Sequence, residues 1–320
     1  MFRLKLTIMP TLHILNFKHF YTIPFLIIFS LSFQQAQSHC IHEDSDENAQ
    51  GNCVPSKSYS FSTDPDVLAA YPEITVRIFF WGINQDNGES EDLLTEDKIQ
   101  ESMDLLNSAY GGMNICFELK GYDHINDSSI YWGSAKNLSS FLRKNKDEYQ
   151  KDDAVNIYIP YKFTNFKNNL RGINWGYNKL AVNMLNYNTG ILPHEVGHSF
   201  RLKHTHQNYK TARCEHVTRD PDDPDFNAKC AGDHVVDTNA MPNLYGSALK
   251  DINEDCEYTG NPKDCQGTPY AFTSDDVRNF MAYTKQSCRS IFTTGQGIRV
   301  RESIELLDFY QKIISNSETD

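Results

Sequence analysis

Three histidines and a glutamate fall in one short run, His194-Glu195-Val196-Gly197-His198-Ser199-Phe200-Arg201-Leu202-Lys203-His204. Positions i and i+4 of a helix share a face one turn apart, so His194 and His198 can reach the same ion. Glu195 stands beside the first ligand, where its carboxylate can approach the remaining coordination position. His204 is too far along for a continuous helix to present it to that ion. The chain must therefore turn sharply after His198 and bring His204 back. Three neutral imidazoles and an open fourth position are the donor set of a catalytic zinc site. A water held there is acidified toward neutrality, and Glu195 has the chemistry of its general base. His206 is a further imidazole in the same stretch and an alternative third ligand.

These groups need a rigid mount. Gly190-Ile191-Leu192-Pro193 is an apolar entry that places Pro in a first helical turn, and Val196 and Phe200 are i, i+4 apolar partners. A helix so patterned is buried on one face, unlike a polar surface helix that merely carries histidines. Ahead of it, β-branched and aromatic runs predict strands over residues 74–81, 115–119, 154–160, 170–175 and 180–184. Thr95 reads as the N-cap of a helix with Ile99, Met103 and Leu106 on one face, stopped by Gly111-Gly112. Val300, Ile304, Leu307 and Ile314 predict a packing helix over 298–314. Strands alternating with helices, followed by a cysteine-rich irregular half, fit an α/β (α+β) fold with a twisted, mixed, five-stranded sheet.

The amino terminus reads as an export signal, residues 1–38. Arg3, Lys5 and Lys18 precede a short apolar core at 23–31, and Ala36 and Ser38 are the small residues a signal peptidase reads. That core falls short of the ~20 residues of a membrane span, although an uncleaved anchor is the competing reading. Residues 39–64 are polar, an N-terminal extension or short pro-segment, and 65–320 form the catalytic domain. The net charge is −12, and losing the leader's three cations makes the remainder more negative still. That excludes the electrostatics of nucleic-acid binding, and no later apolar segment is long enough to hold a membrane. The eight cysteines of an exported chain read as disulfides, and they lack a Cys-x-x-Cys pair. Cys40 or Cys53 has a second reading, as a thiolate capping the zinc.

Downstream lies Asn279-Phe280-Met281-Ala282-Tyr283. An extended zinc signature followed by Met two residues before Tyr resembles the metzincin metallopeptidases. The closer detail resembles their pappalysin (ulilysin, cytophagalysin) family: Leu192-Pro193-His194 through His204-Thr205, then Gly232-Asp233-His234-Val235-Val236-Asp237-Thr238, then Cys288 and Phe292-Thr293-Thr294-Gly295-Gln296. The resemblance covers roughly residues 74–301. It implies a two-lobed catalytic domain with the active-site helix under the sheet and an irregular, disulfide-stapled lower lobe. His194, His198 and His204 would bind zinc and Glu195 would be the base. Met281 would form the turn beneath the metal, and Tyr283 would stabilise the oxyanion. Asp233 and Thr238, with the Val236 carbonyl, would hold calcium, a hard cation suited to oxygen ligands. It also implies the disulfides Cys230–Cys265 and Cys256–Cys288. Cys40–Cys53 and Cys116–Cys214 follow by elimination.

The function implied is a secreted zinc endopeptidase. Its protein or peptide substrate would lie extended along an edge strand, for which residues 170–175 are the candidate. One departure bears on this. The family has Gly three residues after the second histidine, where this chain has Arg201. Gly allows the positive φ of the turn, and another residue there costs about 1 kcal/mol. The alternative is accordingly a catalytically impaired, secreted zinc-binding protein on the same fold. Family members that cut before basic residues carry an acid near the cysteine after the Met-turn. The stretch 284–288 has none, so a neutral or apolar preference is expected there.

Overall fold

The computed structural model describes residues 38–42 (by backbone alone), 55–164, 169–210 and 213–315. The leader before residue 38 and the expected Cys40–Cys53 pair lie outside what is described. In chain order the elements are β1 (Ser38–His42), α1 (Pro65–Ala69), β2 (Ile74–Asn84), α2 (Glu96–Tyr110), β3 (Ile115–Asn126), α3 (Ser128–Tyr131), α4 (Ala135–Lys144) and α5 (Lys146–Tyr149). There follow β4 (Val155–Ile159), β5 (Asn169–Asn174), β6 (Lys179–Val182), α6 (Ile191–Ser199), α7 (Ser274–Arg278), α8 (Thr294–Leu306) and β7 (Ile314–Ser315).

All five expected strands are present, in a mixed sheet of order β1-β5-β6-β4-β2-β3 with β7 added against β2. The pairs β2/β3, β2/β4, β4/β6 and β1/β5 run parallel, while β5/β6 and β2/β7 run antiparallel. Strand β2 shows why the core has two faces. Val76, Ile78 and Phe80 join one apolar cluster, while Phe79, Trp81 and Ile83 join another. A two-residue period with both sides apolar is a central strand covered above and below. The first cluster is completed by Ile99, Met103 and Leu106 of α2, by Ile191, Leu192 and Val196 of α6, and by Ile298, Val300 and Ile304 of α8. The second cluster takes Ile130 of α3 with Leu138 and Leu142 of α4. The sequence patterning had not singled out that second helical layer.

Caps place α2 where its sequence predicts: the Thr95 side chain accepts from Lys98 N, and Gly111 closes the helix. The carboxyl-terminal helix differs from expectation. It begins at Thr294 under a capping box of Thr293 and Gln296, and it ends at Leu306. Ile314 then pairs with Val76 as a strand. An apolar period of three to four residues does not record the break at Leu307, where the backbone turns extended.

Between α6 and α8 the described chain is mostly irregular. It has an apolar cluster of its own, including Met241, Leu244, Ile252, Val277, Ala282 and Cys288. Cys256 is bonded to Cys288, as the resemblance implies. The other two pairings that can be compared are corrected. Cys265 is bonded to Cys214, not Cys230, and Cys230 is disulfide-bonded elsewhere. Cys116 is a free thiol on β3, beside Thr75 of β2, so it cannot bond Cys214. Eight cysteines allow far more connectivities than spacing can decide, and the fold chooses by which residues it brings together.

Candidate metal centre

Every residue of α6 is buried, and its polar backbone is tied off by side chains of other elements. Tyr110 of α2 donates its hydroxyl to Pro193 O at 2.8 Å, and Tyr310 donates to Ser199 O at 2.6 Å. Asn174 of β5 donates to Glu195 O at 3.1 Å and to Ser199 Oγ at 2.7 Å. After Ser199 the chain reverses in a Schellman motif. Leu202 N donates to Gly197 O and Arg201 N to His198 O, both at 2.9 Å. Arg201 sits in the left-handed conformation at φ 67°. The turn that the sequence demanded is therefore made with Arg in the position Gly would favour.

That reversal brings His204 under the helix. His198 Nε2 lies 3.1 Å from His194 Nε2 and 3.0 Å from His204 Nε2. His194 Nδ1 donates to Phe280 O at 2.6 Å, and His198 Nδ1 to Leu202 O at 2.7 Å. A carbonyl only accepts, so each Nδ1 carries the proton and each Nε2 presents a bare lone pair. Burial, then the His198 ring and the Arg289 guanidinium, hold His194 far below its ordinary range and keep it neutral. Bare nitrogens pointed at one another repel, unless a cation lies between them. Tetrahedral zinc with bonds of about 2.0–2.1 Å would set them about 3.3 Å apart, close to what is found. The donor set fits zinc. Among the described residues the converging histidine group is His194, His198 and His204. His206, the alternative third ligand, lies outside it, stacked on the His204 ring at 5.1 Å. Its own ring is lowered to about 3, by burial first and then by Arg289.

Glu195 is fully buried against β5. A Cβ on Gly172 would stand 2.6 Å from Glu195 Oε1 and 2.7 Å from Glu195 Cγ, so the bare backbone of Gly172 makes the room for this carboxylate. Gly197 does the same on the opposite side: a Cβ there would be 2.8 Å from Met281 Sδ. Met281 thus packs directly against α6, its amide donating to Asn279 Oδ1 and its carbonyl accepting from Thr205 N. The ring of Tyr283 packs 4.5 Å from His204, 4.5 Å from His206 and 6.0 Å from His194.

The loop assigned to calcium is differently employed. Asp233 Oδ1 accepts from Thr238 Oγ1 at 2.9 Å and from Val235 N at 3.0 Å, so the two side chains expected to face an ion face each other. Burial pushes the Asp233 carboxyl up to about 7 against these hydrogen bonds. Arg219 Nη2 donates to Glu215 Oε1 at 2.8 Å and to Thr238 O at 2.6 Å, bringing an internal cation to this loop. As arranged, these groups do not fit calcium. The expected open edge is also corrected. The outer side of β5 is paired in parallel with β1, Cys40 opposite Gly172. An unpaired strand edge invites any extended segment, and here the chain's own amino-terminal segment takes it. Gly172, Asn174 and Arg289 were not singled out by sequence. Each matters through what it approaches in space, and no local pattern marks them.

No family model matches the chain. An extracellular metalloprotease of Neurospora crassa is 28% identical over 254 residues, 73% of this chain and 76% of that protein. One of Sordaria macrospora is 29% identical over 246 residues, 73% of this chain and 75% of its own length. One of Verticillium alfalfae is 25% identical over 228 residues, 66% and 70% respectively. Among solved structures, metalloproteinase-II from Bacteroides fragilis matches at 14% identity with a TM-score of 0.28, over 46% of this chain and 52% of that one. A match that loose does not bear on the site.

Two substitutions test this geometry. Gly172→Ala must displace the Glu195 carboxylate. We expect zinc content to persist in elemental analysis while any hydrolytic activity falls at least about a hundredfold; full activity would contradict the packing described. Arg201→Gly should relieve the left-handed strain, raising stability by about 0.5–1 kcal/mol in thermal or urea unfolding. A loss of stability would mean that the Arg201 side chain outweighs its backbone cost.

Proposed function

We propose that the chain is a secreted zinc endopeptidase of the pappalysin type within the metzincins. The observation that carries this reading is the buried trio of imidazoles, two of them pinned as Nδ1–H tautomers by carbonyls, with a carboxylate on the same helix. The extracellular metalloproteases of the three fungi point the same way, toward hydrolysis of peptide bonds outside the cell. Among the described residues no helix is long and apolar enough to cross a membrane.

His194, His198 and His204 would hold the zinc. Bound there, zinc would supply a Lewis acid for the scissile carbonyl and would lower the pKa of a water beside it. Glu195 takes the proton from that water and delivers it to the leaving amine. Its burial against Gly172 fixes the carboxylate and keeps bulk water from competing for the proton. Tyr283 donates a hydrogen bond to the oxyanion that forms as the carbonyl becomes tetrahedral. The cleft runs between the sheet and the irregular half, and the peptide lies extended along β5. Since β1 holds that edge, residues 39–64 act as a pro-segment whose first strand must yield to substrate.

The rival reading, a zinc-holding protein without turnover, has Arg201 as its motive. Arg201 adopts the φ that the turn needs and His204 arrives at the cluster, so that departure does not disturb the ligands.

Glu195→Ala should retain zinc by elemental analysis yet lose nearly all cleavage of casein, a drop of at least about a thousandfold. A chelator should abolish cleavage by the wild type, and added zinc should restore it. Unchanged turnover in Glu195→Ala, or indifference to the chelator, would end the assignment. A mature chain lacking residues 39–42 should show a severalfold lower KM for an extended peptide. An unaltered KM would remove the pro-segment role.

A further inference from the structure

Arg289 is a buried cation with little to hold. The residue is 9% exposed, Nε and Nη1 are shielded from solvent and have no hydrogen-bond partner, and Nη2 makes one long contact, 3.5 Å, to Thr284 O. No carboxylate lies within ion-pair distance of it among the described residues. Other enclosed arginines have more to hold: Arg301 gives three hydrogen bonds to the carbonyls of Met113, Asn114 and Pro72, Arg219 is paired with Glu215, and Arg299, though without a hydrogen bond, lies 4.0 Å over the Tyr59 ring. What sets Arg289 apart is its position beside the histidine cluster. Its guanidinium carbon lies 6.0 Å from the centre of the Tyr283 ring, whose other ring neighbours are His194, His204, His206 and Tyr245. Its charge also acts on His194 and His206. The Cβ of Arg289 closes against Gly190, at the start of the zinc helix, where an added Cβ would meet it at 2.8 Å. The loop carrying Arg289 is linked to β5 by Arg171, which donates to Gln286 Oε1. The guanidinium therefore stands in the wall of the site, one ring's breadth from the metal ligands, on a loop tied to the strand proposed to seat the peptide.

We propose that Arg289 selects a substrate carboxylate beside the bond to be cut. A guanidinium whose Nε and Nη1 hydrogens lack acceptors gains charge-assisted bonds from an incoming carboxylate, which the planar donor fork meets along one edge. A neutral amide of the same shape offers one oxygen and a repelled NH2, and a Lys side chain adds like charge in a desolvated place. This replaces the neutral or apolar preference read from residues 284–288: that stretch lacks an acid, and the residue that matters is the base one position past Cys288. Selection of this kind rests on the peptidase reading and sharpens its substrate class to acidic peptides. The carboxylate is either an Asp or Glu side chain or the free carboxyl end of the peptide.

The test uses zinc-loaded mature protein and quenched peptides that are identical except for Glu, Gln or Lys flanking the cut, each with a free or an amidated carboxyl end. We expect kcat/KM for Glu to exceed that for Gln at least about tenfold and that for Lys by more. In Arg289→Met the Glu-to-Gln ratio should fall to about 1, and in Arg289→Lys it should survive in part. A preference that follows the free carboxyl end, whatever the flanking residue, assigns the fork to the terminal carboxylate. Binding of the same peptides to Glu195→Ala, followed by fluorescence anisotropy, reads the preference without turnover. Cleavage and binding with no Glu-to-Gln discrimination in the wild type would overturn the role of Arg289 and leave the peptidase reading standing. Glu-selective binding by a wild type that cuts nothing would do the reverse.

Discussion

Lone pairs that repel one another are held about 3 Å apart in the interior of this protein, and much of the architecture serves to keep them there. Two of the imidazoles cannot rotate away because their opposite nitrogens are bonded to the carbonyls of Phe280 and Leu202. Those carbonyls belong to the two segments that most need placing, the Met-turn and the turn that follows the helix. One set of hydrogen bonds thus fixes the tautomer, the ring orientation and the path of the backbone together. Loss of the cation would leave the trio electrostatically frustrated, which couples metal binding to stability.

Close approach is the second theme. The helix lies so near the sheet on one side and the Met-turn on the other that both contacts are made at glycines, Gly172 and Gly197. A glycine weakens a strand or helix interior by roughly 0.5–1 kcal/mol. Here that cost is offset by placing a carboxylate and a sulfur where no side chain intervenes. The same economy of space explains why α6 is buried on all sides and why its terminal carbonyls are met by Tyr310 and by the reversal at Arg201.

Charge is distributed to match. The protein is acidic overall, yet cations stand at its buried centres: Arg219 at the loop 233–238, Arg301 between α8 and the turn before β3, and Arg289 beside the metal ligands. The first two donate to carbonyls and a carboxylate and hold segments together. Desolvation makes an unpartnered guanidinium expensive, which is the physical ground for the role proposed for Arg289.

The sequence by itself determined the histidines that converge, the strands of the core and the helix under Thr95, because each is written in local spacing: i, i+4 on one helix, alternation along a strand, a cap before an apolar run. It also demanded a sharp turn between His198 and His204, and the left-handed Arg201 is how the chain makes it. What only the tertiary structure decided are relations between distant residues. Cys214 meets Cys265 and not Cys116 because the fold brings the first pair together and leaves the other on β3. Asp233 and Thr238 turn to each other once burial makes an unpaired carboxylate costly, and β1 claims the edge of β5 since an open ladder accepts whatever strand is near. The isolation of Arg289 is of this kind too, for an arginine in a sequence carries no sign of whether its hydrogen bonds will be met.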